Sequence, residues 1–301
     1  MRRKPEIKFR EMQLKLFWYW INERHKIYLA KEAKRPWPWT KDKILQNYKF
    51  TNPFRQNDRV TIEWTNRYLK LPRGLSYGDI IFQCCMFRLF NWPETYDTLM
   101  FGMSKWNRNK AVKLIDQMKK EGKQIFTGAY IVPSLGLSTP KHWMICDILD
   151  QIHKDRGKIA EAIRKANSME AACHVLRQYK SLGPFISYEI ACDLRHTKVL
   201  NSANDIMSWA NPGPGAQRGV HRLITGTHKW KGAKPDYQLA MRRLLEMAPR
   251  RLLKGVKTCN WPFEMREIEH SLCEFDKYMR VKMKQGKPRS RYTYKSQLEL
   301  F

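Results

Sequence analysis

Apolar side chains recur every three or four residues through most of this 301-residue chain, a period that favours helices over strands. Between residues 6 and 33 the repeat runs Phe9, Met12, Leu16, Trp20 and Ile27. Two prolines in RPWPWT stop that helix, and Thr40 is placed to cap the next at KDKILQNY. The segment DRVTIEWTNRYLK begins at Asp58. Its β-branched Val60, Thr61 and Ile62 leave it open as helix or strand. Residues 77–91 read as a buried helix, followed by helices over 94–102 and 105–120, with Gly122 closing the second. Further helices are expected over 140–153, 157–166 and 168–178, and near 234–249 and 261–284. Two stretches break the period. GAYIVPSLGLSTP is apolar and rich in Gly and Pro, as a packed loop would be, and residues 203–216 form a second loop containing NDIMSWANPGPGA. The expected fold class is all-α. One compact body covers 1–285, with two lobes meeting near residue 130, and a flexible basic tail covers 286–301.

Charge narrows the partner. The chain has 57 Lys and Arg against 28 Asp and Glu, so 57 − 28 = +29. With 43% hydrophobic and 12% aromatic residues it is too apolar for a disordered polycation. A folded body this basic points to a polyanion, nucleic acid or an anionic membrane surface. No run of 18 apolar residues occurs, which excludes a membrane span, and the start lacks the features of a secretory signal. Residues 6–33 have apolar and basic faces, but Trp18, Tyr19 and Trp20 read more simply as core anchors than as a membrane-surface helix. The seven cysteines are odd in number and none has C-x-x-C spacing. They read as buried thiols of a reducing, cytoplasmic compartment.

No P-loop, G-x-G-x-x-G or H-E-x-x-H is present. Four features remain, each with two readings. Tyr179–Ala191, YKSLGPFISYEIA, has the shape of a helix–hairpin–helix whose turn amides would cradle a phosphate; the plain alternative is an αα-corner. Asp205 opens the rigid loop before ANPGPGAQRG, either as a functional acid or as a helix cap. Arg55 and Arg59 flank Asp58, and Arg88 interrupts an apolar helix face, as an anion pocket or as a structural ion-pair network. The stripe IEHSLCEFDKYMR over 268–280 looks like a solvated, salt-laced helix.

Taken together these segments resemble the helix–hairpin–helix DNA glycosylase superfamily. Within it they are similar to a phage branch, the α-glutamyl/putrescinyl thymine pyrophosphorylase family and the helical domain of 5-hydroxymethyldeoxyuridine DNA kinases. The resemblance is carried by PWPWTKDKILQNYKFTNPFRQNDRVT, FRLFNWPET, FTGAYIV, LGPFISYEIACDL, ANPGPGAQRG and IEHSLCEFDKYMR, between residues 36 and 280. It implies a two-lobed body with a cleft, a hairpin gripping DNA, and an Asp at position 205 in the catalytic place. Phe185 stands where the lyase branch has Lys, so Schiff-base chemistry is not expected. Kinase members carry a separate P-loop domain, and this chain is not expected to be a kinase by itself.

The function so implied is thymine hypermodification of phage DNA in the cytoplasm of an infected bacterial host. An amino acid or amine displaces pyrophosphate from 5-(pyrophosphoryloxymethyl)uracil in DNA. The alternatives are a helix–hairpin–helix glycosylase, or a non-catalytic DNA-binding module that partners a 5-hydroxymethyluracil DNA kinase. In the transferase reading Asp205 is the base, with Glu189 and Asp193 as weaker candidates. Arg55, Arg59 and Arg88 hold the pyrophosphate. Lys180, Gly183, Pro184, Arg218 and Arg222 hold the DNA backbone, and Trp209, Tyr130 and Trp92 are candidates to stack on a flipped base. The partners are DNA carrying the modified thymine, an amino acid or polyamine, and, in the DNA-binding-module alternative, a DNA base kinase, with no membrane. No cofactor is certain. A magnesium ion could help hold the pyrophosphate, although no carboxylate cluster compels it.

Overall fold

The three-to-four-residue period is realised as twelve α-helices among the described residues of a computed structural model, which are residues 7–127, 139–253, 262–288 and 291–293. The chain is all-α, and within those residues the only extended pairing is a single bridge between Tyr48 and Arg291. It divides into two compact units, Met1–Asp58 with Met207–Phe301, and Arg59–Ile206. Residue 130, near which two lobes were expected to meet, lies outside the described residues.

The first unit opens with α1 (Glu11–Glu32) and α2 (Lys43–Asn47). The second unit holds α3 (Arg59–Lys70), α4 (Tyr77–Phe90), α5 (Pro93–Gly102), α6 (Arg108–Lys120), α7 (Lys141–Ala166), α8 (Met169–Leu176) and α9 (Pro184–Leu194). The chain then completes the first unit with α10 (Pro214–Thr225), α11 (Tyr237–Arg251) and α12 (Met265–Lys282).

Several local expectations shift by a turn, each for a visible reason. Thr40 does not cap α2. Asp42 does, accepting from the amides of Ile44 and Leu45, while the Thr40 hydroxyl accepts from the Asp42 amide and donates to Glu23. The β-branched run after Asp58 is helical, with Thr61 and Trp64 on the buried side of α3. Helix α7 runs unbroken past 153 and through Gly157, where a Cβ would meet open space. Helix α10 begins at Pro214, a residue type suited to the first helical position.

Helix α4 is the axis of the second unit. Ile80, Ile81, Phe82, Cys84, Cys85, Met86, Phe87, Leu89 and Phe90 are all buried, as expected of a helix apolar on every side. It packs against α7 and α9, and Gly78 lets it approach α7 so closely that a Cβ there would lie 2.7 Å from the Arg156 carbonyl oxygen. Burial pushes the thiols of Cys84, Cys85, Cys146 and Cys173 up, which makes them packing groups rather than nucleophiles.

In the first unit α12 is the axis, in contact with α1, α2, α10 and α11. Phe17 and Phe275 meet edge-to-face with ring centroids 5.4 Å apart. Trp18 and Trp20 are buried as expected, whereas Tyr19 points outward and donates to Asp42. Gly215 and Gly219 fall one turn apart on α10 and face α12. A Cβ on Gly215 would meet the Cys273 sulfur, and one on Gly219 the Leu272 carbonyl oxygen, both inside van der Waals contact. The glycines of ANPGPGAQRG thus bring two helices together.

Gly219→Ala is expected to lower the free energy of unfolding by about 1–3 kcal/mol, because neither partner backbone can withdraw. Gly157→Ala, with room for its methyl group, should raise it by about 0.5–1 kcal/mol. Urea unfolding of both variants checks the pair.

Candidate functional site

Helix α12 reads as a solvated, salt-laced surface helix, and the structure overturns that. Arg266, Glu267, Glu269, His270, Glu274 and Asp276 are each less than a tenth exposed. Glu264 and Glu267 close its first turn as a reciprocal capping box, and Arg266 lies 3.3 Å and 3.1 Å from their carboxylates. Further along, Asp276 accepts from Arg222 and Arg218 at 2.8 Å each, and Arg222 also donates to Gln285 at 2.9 Å. Buried charges of this kind persist only when paired.

Between these two networks, the α12 residues His270 and Glu274 meet the loop FTNPFRQND. The Thr51 amide donates to Glu274 at 3.0 Å, and Lys277 neutralises the same carboxylate at 2.9 Å. The Asn52 side chain accepts from the Phe54 amide, which folds the loop back, and the Asn52 amide donates to Asp58 at 2.8 Å. A single 3-10 turn over 55–57 then brings Arg55 and Asp58 to the same side. Arg55 Nη1 lies 3.1 Å from His270 Nδ1 and 3.7 Å from Asp58 Oδ2.

These contacts fix the imidazole. A guanidinium only donates, so His270 Nδ1 accepts, and the ring proton sits on Nε2, which faces the Thr51 hydroxyl. Burial, then Arg55, Lys277 and Arg266, hold the His270 pKa well below its ordinary value, so the ring is neutral. Asp58 is pushed the other way. Burial raises its carboxyl from 3.8 to about 6, against the pull of Arg55 and the Asn52 amide. Its Oδ2 carries no hydrogen bond and lies 3.8 Å from His270 Nε2. Arg24 stands behind the loop, donating from Nε to the Phe50 carbonyl at 3.1 Å, with its buried Nη1 unpartnered. The arrangement is a carboxylate with a free lone pair, able to take a proton near neutral pH, beside two guanidinium groups.

The other sequence candidates are distributed differently. Arg88 is 1% exposed in the second unit and forks onto Asp193, with Nε and Nη2 each 2.6 Å from a carboxylate oxygen; Glu189 lies 3.7 Å away. These three make a buried structural network. Arg59 lies exposed at the start of α3. Asp205 closes the N-terminus of α8: its oxygens accept from the amides of Met169 at 2.7 Å and Glu170 at 2.9 Å and from the Ser168 hydroxyl at 2.8 Å. Lys180, Gly183 and Pro184 are exposed in the turn between α8 and α9, where Ser181 holds the left-handed φ of 63°. Arg218 is partly exposed beside Asp276. Arg222 is fully buried against it, which takes it off any surface that a phosphate backbone could touch. Trp92 and Trp209 are half-buried, and Tyr130 lies outside the described residues. No three His, Cys, Asp or Glu side chains gather as metal ligands among the described residues.

Sequence reasoning chose Arg55 and quoted His270 and Asp58 in separate segments. It missed that they meet, across 215 residues between Arg55 and His270. It missed Arg24 altogether, for which the sequence carries no signal beyond one basic residue in an amphipathic helix.

Over residues 11–288 the chain matches the family model described as the helical domain of 5-hmdU DNA kinase. The chain belongs to this family. It is also similar to a 5-hmdU DNA kinase of Bacillus phage SP10, at 28% identity over 230 residues, which cover 68% of this chain and 36% of that protein. The matched region is thus about a third of that relative's length. No solved structure matches. The family match spans α1 to α12 and so includes the loop of residues 50–58 and the buried stripe of α12, together with the turn between α8 and α9. Among the described residues no helix of the chain is long and apolar enough to cross a membrane.

Two predictions follow from the buried groups. His25, whose ring nitrogens have no partner, is pushed down to about 4 by burial and Arg24, and His270 is lowered as well. In the unfolded chain both take up protons near pH 6.5, so the unfolded state binds more protons and stability falls as the pH drops from about 6.5 toward 4. Asp58 acts oppositely, since the folded state keeps its proton between 3.8 and about 6. Asp58→Asn should therefore steepen the acid loss of stability, measured as unfolding midpoints at pH 7 and pH 5. Separately, Asp205→Ala should cost about 1–2 kcal/mol in denaturant unfolding, as expected for loss of a helix cap.

Proposed function

We propose that this chain acts on DNA carrying a thymine modified at its C5 methyl carbon. In this reading it is a transferase that replaces a pyrophosphate on that carbon with an amine. The observation that carries the reading is Asp58, a carboxylate with a raised pKa and an unbonded oxygen, set between Arg55 and Arg24. The family match supports a 5-hydroxymethyluracil context through the phage relative named for that base.

The base must leave the helical stack for its exocyclic carbon to be reached. The exposed turn Lys180–Pro184 and the partly exposed Arg218 suit the backbone grip, together with the high net charge. The incoming amine arrives as an ammonium ion. Asp58 takes its proton, the nitrogen bonds to the exocyclic carbon, and the carbon–oxygen bond breaks with its electron pair leaving on pyrophosphate. Arg55 and Arg24 stabilise the charge that develops on that leaving group. His270, neutral and accepting from Arg55, positions the guanidinium without titrating. Asp205, Glu189, Asp193 and Arg88 serve folding in this scheme.

A second reading has its own support: the matched relative is a kinase, and this chain aligns with a third of it. The helical domain would then bind the modified base and present it to a kinase active site without chemistry of its own.

The test is incubation with duplex DNA bearing 5-(pyrophosphoryloxymethyl)uracil and a mixture of amino acids and polyamines, followed by digestion and mass spectrometry of the nucleosides. An amine adduct is expected, with Asp58→Asn slowed by about a hundredfold or more and Asp205→Asn close to wild type when folded. Recovery of unchanged nucleoside, with DNA still bound, would favour the presenting module. An abasic product would favour a glycosylase.

A further inference from the structure

A second site lies in the first unit, apart from the Asp58 carboxylate. The segment between α1 and the 50–58 loop, RPWPWTKDKILQNYKF, encloses a cavity of about 230 Å3. Its walls include the aromatic rings of Trp37, Trp39, Tyr48 and Tyr292. Arg24, Lys31 and Lys49 supply three cations, and among the described residues no carboxylate lines it. Tyr292 is held in place from the far end of the chain: its amide donates to the Asn47 carbonyl at 2.9 Å, beside the bridge between Tyr48 and Arg291. Lys31 Nζ sits 5.2 Å from the Trp39 ring centroid and 5.8 Å from that of Tyr292.

The chemistry of such a cavity is specific. Aromatic walls alone could cage an ammonium group, but three resident cations repel one. A purely anionic ligand would make no use of the rings. The combination suits a ligand with a flat π-face and a negative charge. Arg24 gives the independent sign that something polar belongs here, because its Nη1 is buried and has no hydrogen-bond partner while the side chain lines the cavity. Burial, then the neighbouring Arg24, depress the Lys31 ammonium against the pull of Glu32.

We infer that this cavity binds a single nucleotide, with its base against the aromatic wall formed by Trp39 and Tyr292, whose rings meet edge-to-face with centroids 6.2 Å apart, and its phosphate on Arg24, Lys31 and Lys49. The nucleotide comes either from an unstacked position in a DNA strand or from a free mononucleotide; the recognition chemistry is the same. The site shares Arg24 with the transferase reading, but its walls include neither Asp58 nor Arg55, so nucleotide binding here is tested without the transferase chemistry.

The test is tryptophan-fluorescence titration of the full chain with thymidine 5′-monophosphate, thymidine, inorganic phosphate and a single-stranded thymidine oligonucleotide. Saturable quenching by the monophosphate or the oligonucleotide is expected, with thymidine weaker and inorganic phosphate producing none. The source is the strand if the oligonucleotide binds and the monophosphate does not, and the free nucleotide in the converse case. Lys31→Gln with Lys49→Gln, both at exposed positions, should weaken nucleotide binding about tenfold and leave thymidine unchanged. Trp39→Ala should weaken nucleotide and thymidine binding alike by about tenfold. Circular dichroism checks that each variant is folded. Failure of both nucleotide probes to quench, equal competition by inorganic phosphate, or unaltered affinity in the folded variants overturns the assignment, whatever the outcome of the transferase assay.

Discussion

The first unit is organised by a helix that cannot be buried on its own. Helix α12 carries acids and a histidine at positions 267, 269, 270, 274 and 276 that are almost completely withdrawn from water. Uncompensated, each buried ion would cost several kcal/mol. They are tolerated because other segments deliver cations and amides to them: Arg222 and Arg218 from α10, and Thr51 and Arg55 from the loop that follows α2. Pairing in the interior contributes modest net stability, yet removing one partner is costly. The function of such a seam is therefore to fix geometry.

Packing and charge depend on each other here. Gly215 and Gly219 leave α10 without side chains where it meets α12, and that closeness is what places the Arg218 and Arg222 guanidinium groups within 2.8 Å of Asp276. On the opposite stretch, Asn52 and the 3-10 turn shape a loop just long enough to return Asp58 beside Arg55. Asp58 is the member left incompletely satisfied. Its unbonded oxygen and its pKa near 6 are departures from the rule that buried polar groups are paired, and such departures collect at functional sites.

The all-α class and most helices were legible from apolar spacing, because burial on one or more helix faces sets a period that composition cannot disguise. Boundaries were less legible: Thr40 loses the cap to Asp42, and α7 runs unbroken across the expected gap between 153 and 157. The role of α12 was not legible, since Glu269, Glu274 and Asp276 spaced along a helix look the same whether they meet water or meet amides and arginines from segments more than fifty residues away. Arg88 was read correctly as needing a partner, and the partner, Asp193, is 105 residues distant. Asp205 illustrates the reverse, an acid at a suggestive position whose two oxygens cap a helix. The excess charge of the chain also divides in two, with Arg55, Arg88 and Arg222 retained by interior partners and Lys31, Lys49 and Lys180 presented to solvent.

The account rests on His270 being a neutral acceptor that orients Arg55 beside Asp58. Nitrogen-15 NMR of the imidazole observes this directly. The structure predicts a neutral ring protonated on Nε2 at pH 6, with no titration until well below the ordinary histidine range. A ring that is doubly protonated at pH 6, or protonated on Nδ1, would contradict it, because Arg55 could then have no acceptor there and the guanidinium–carboxylate geometry would not hold.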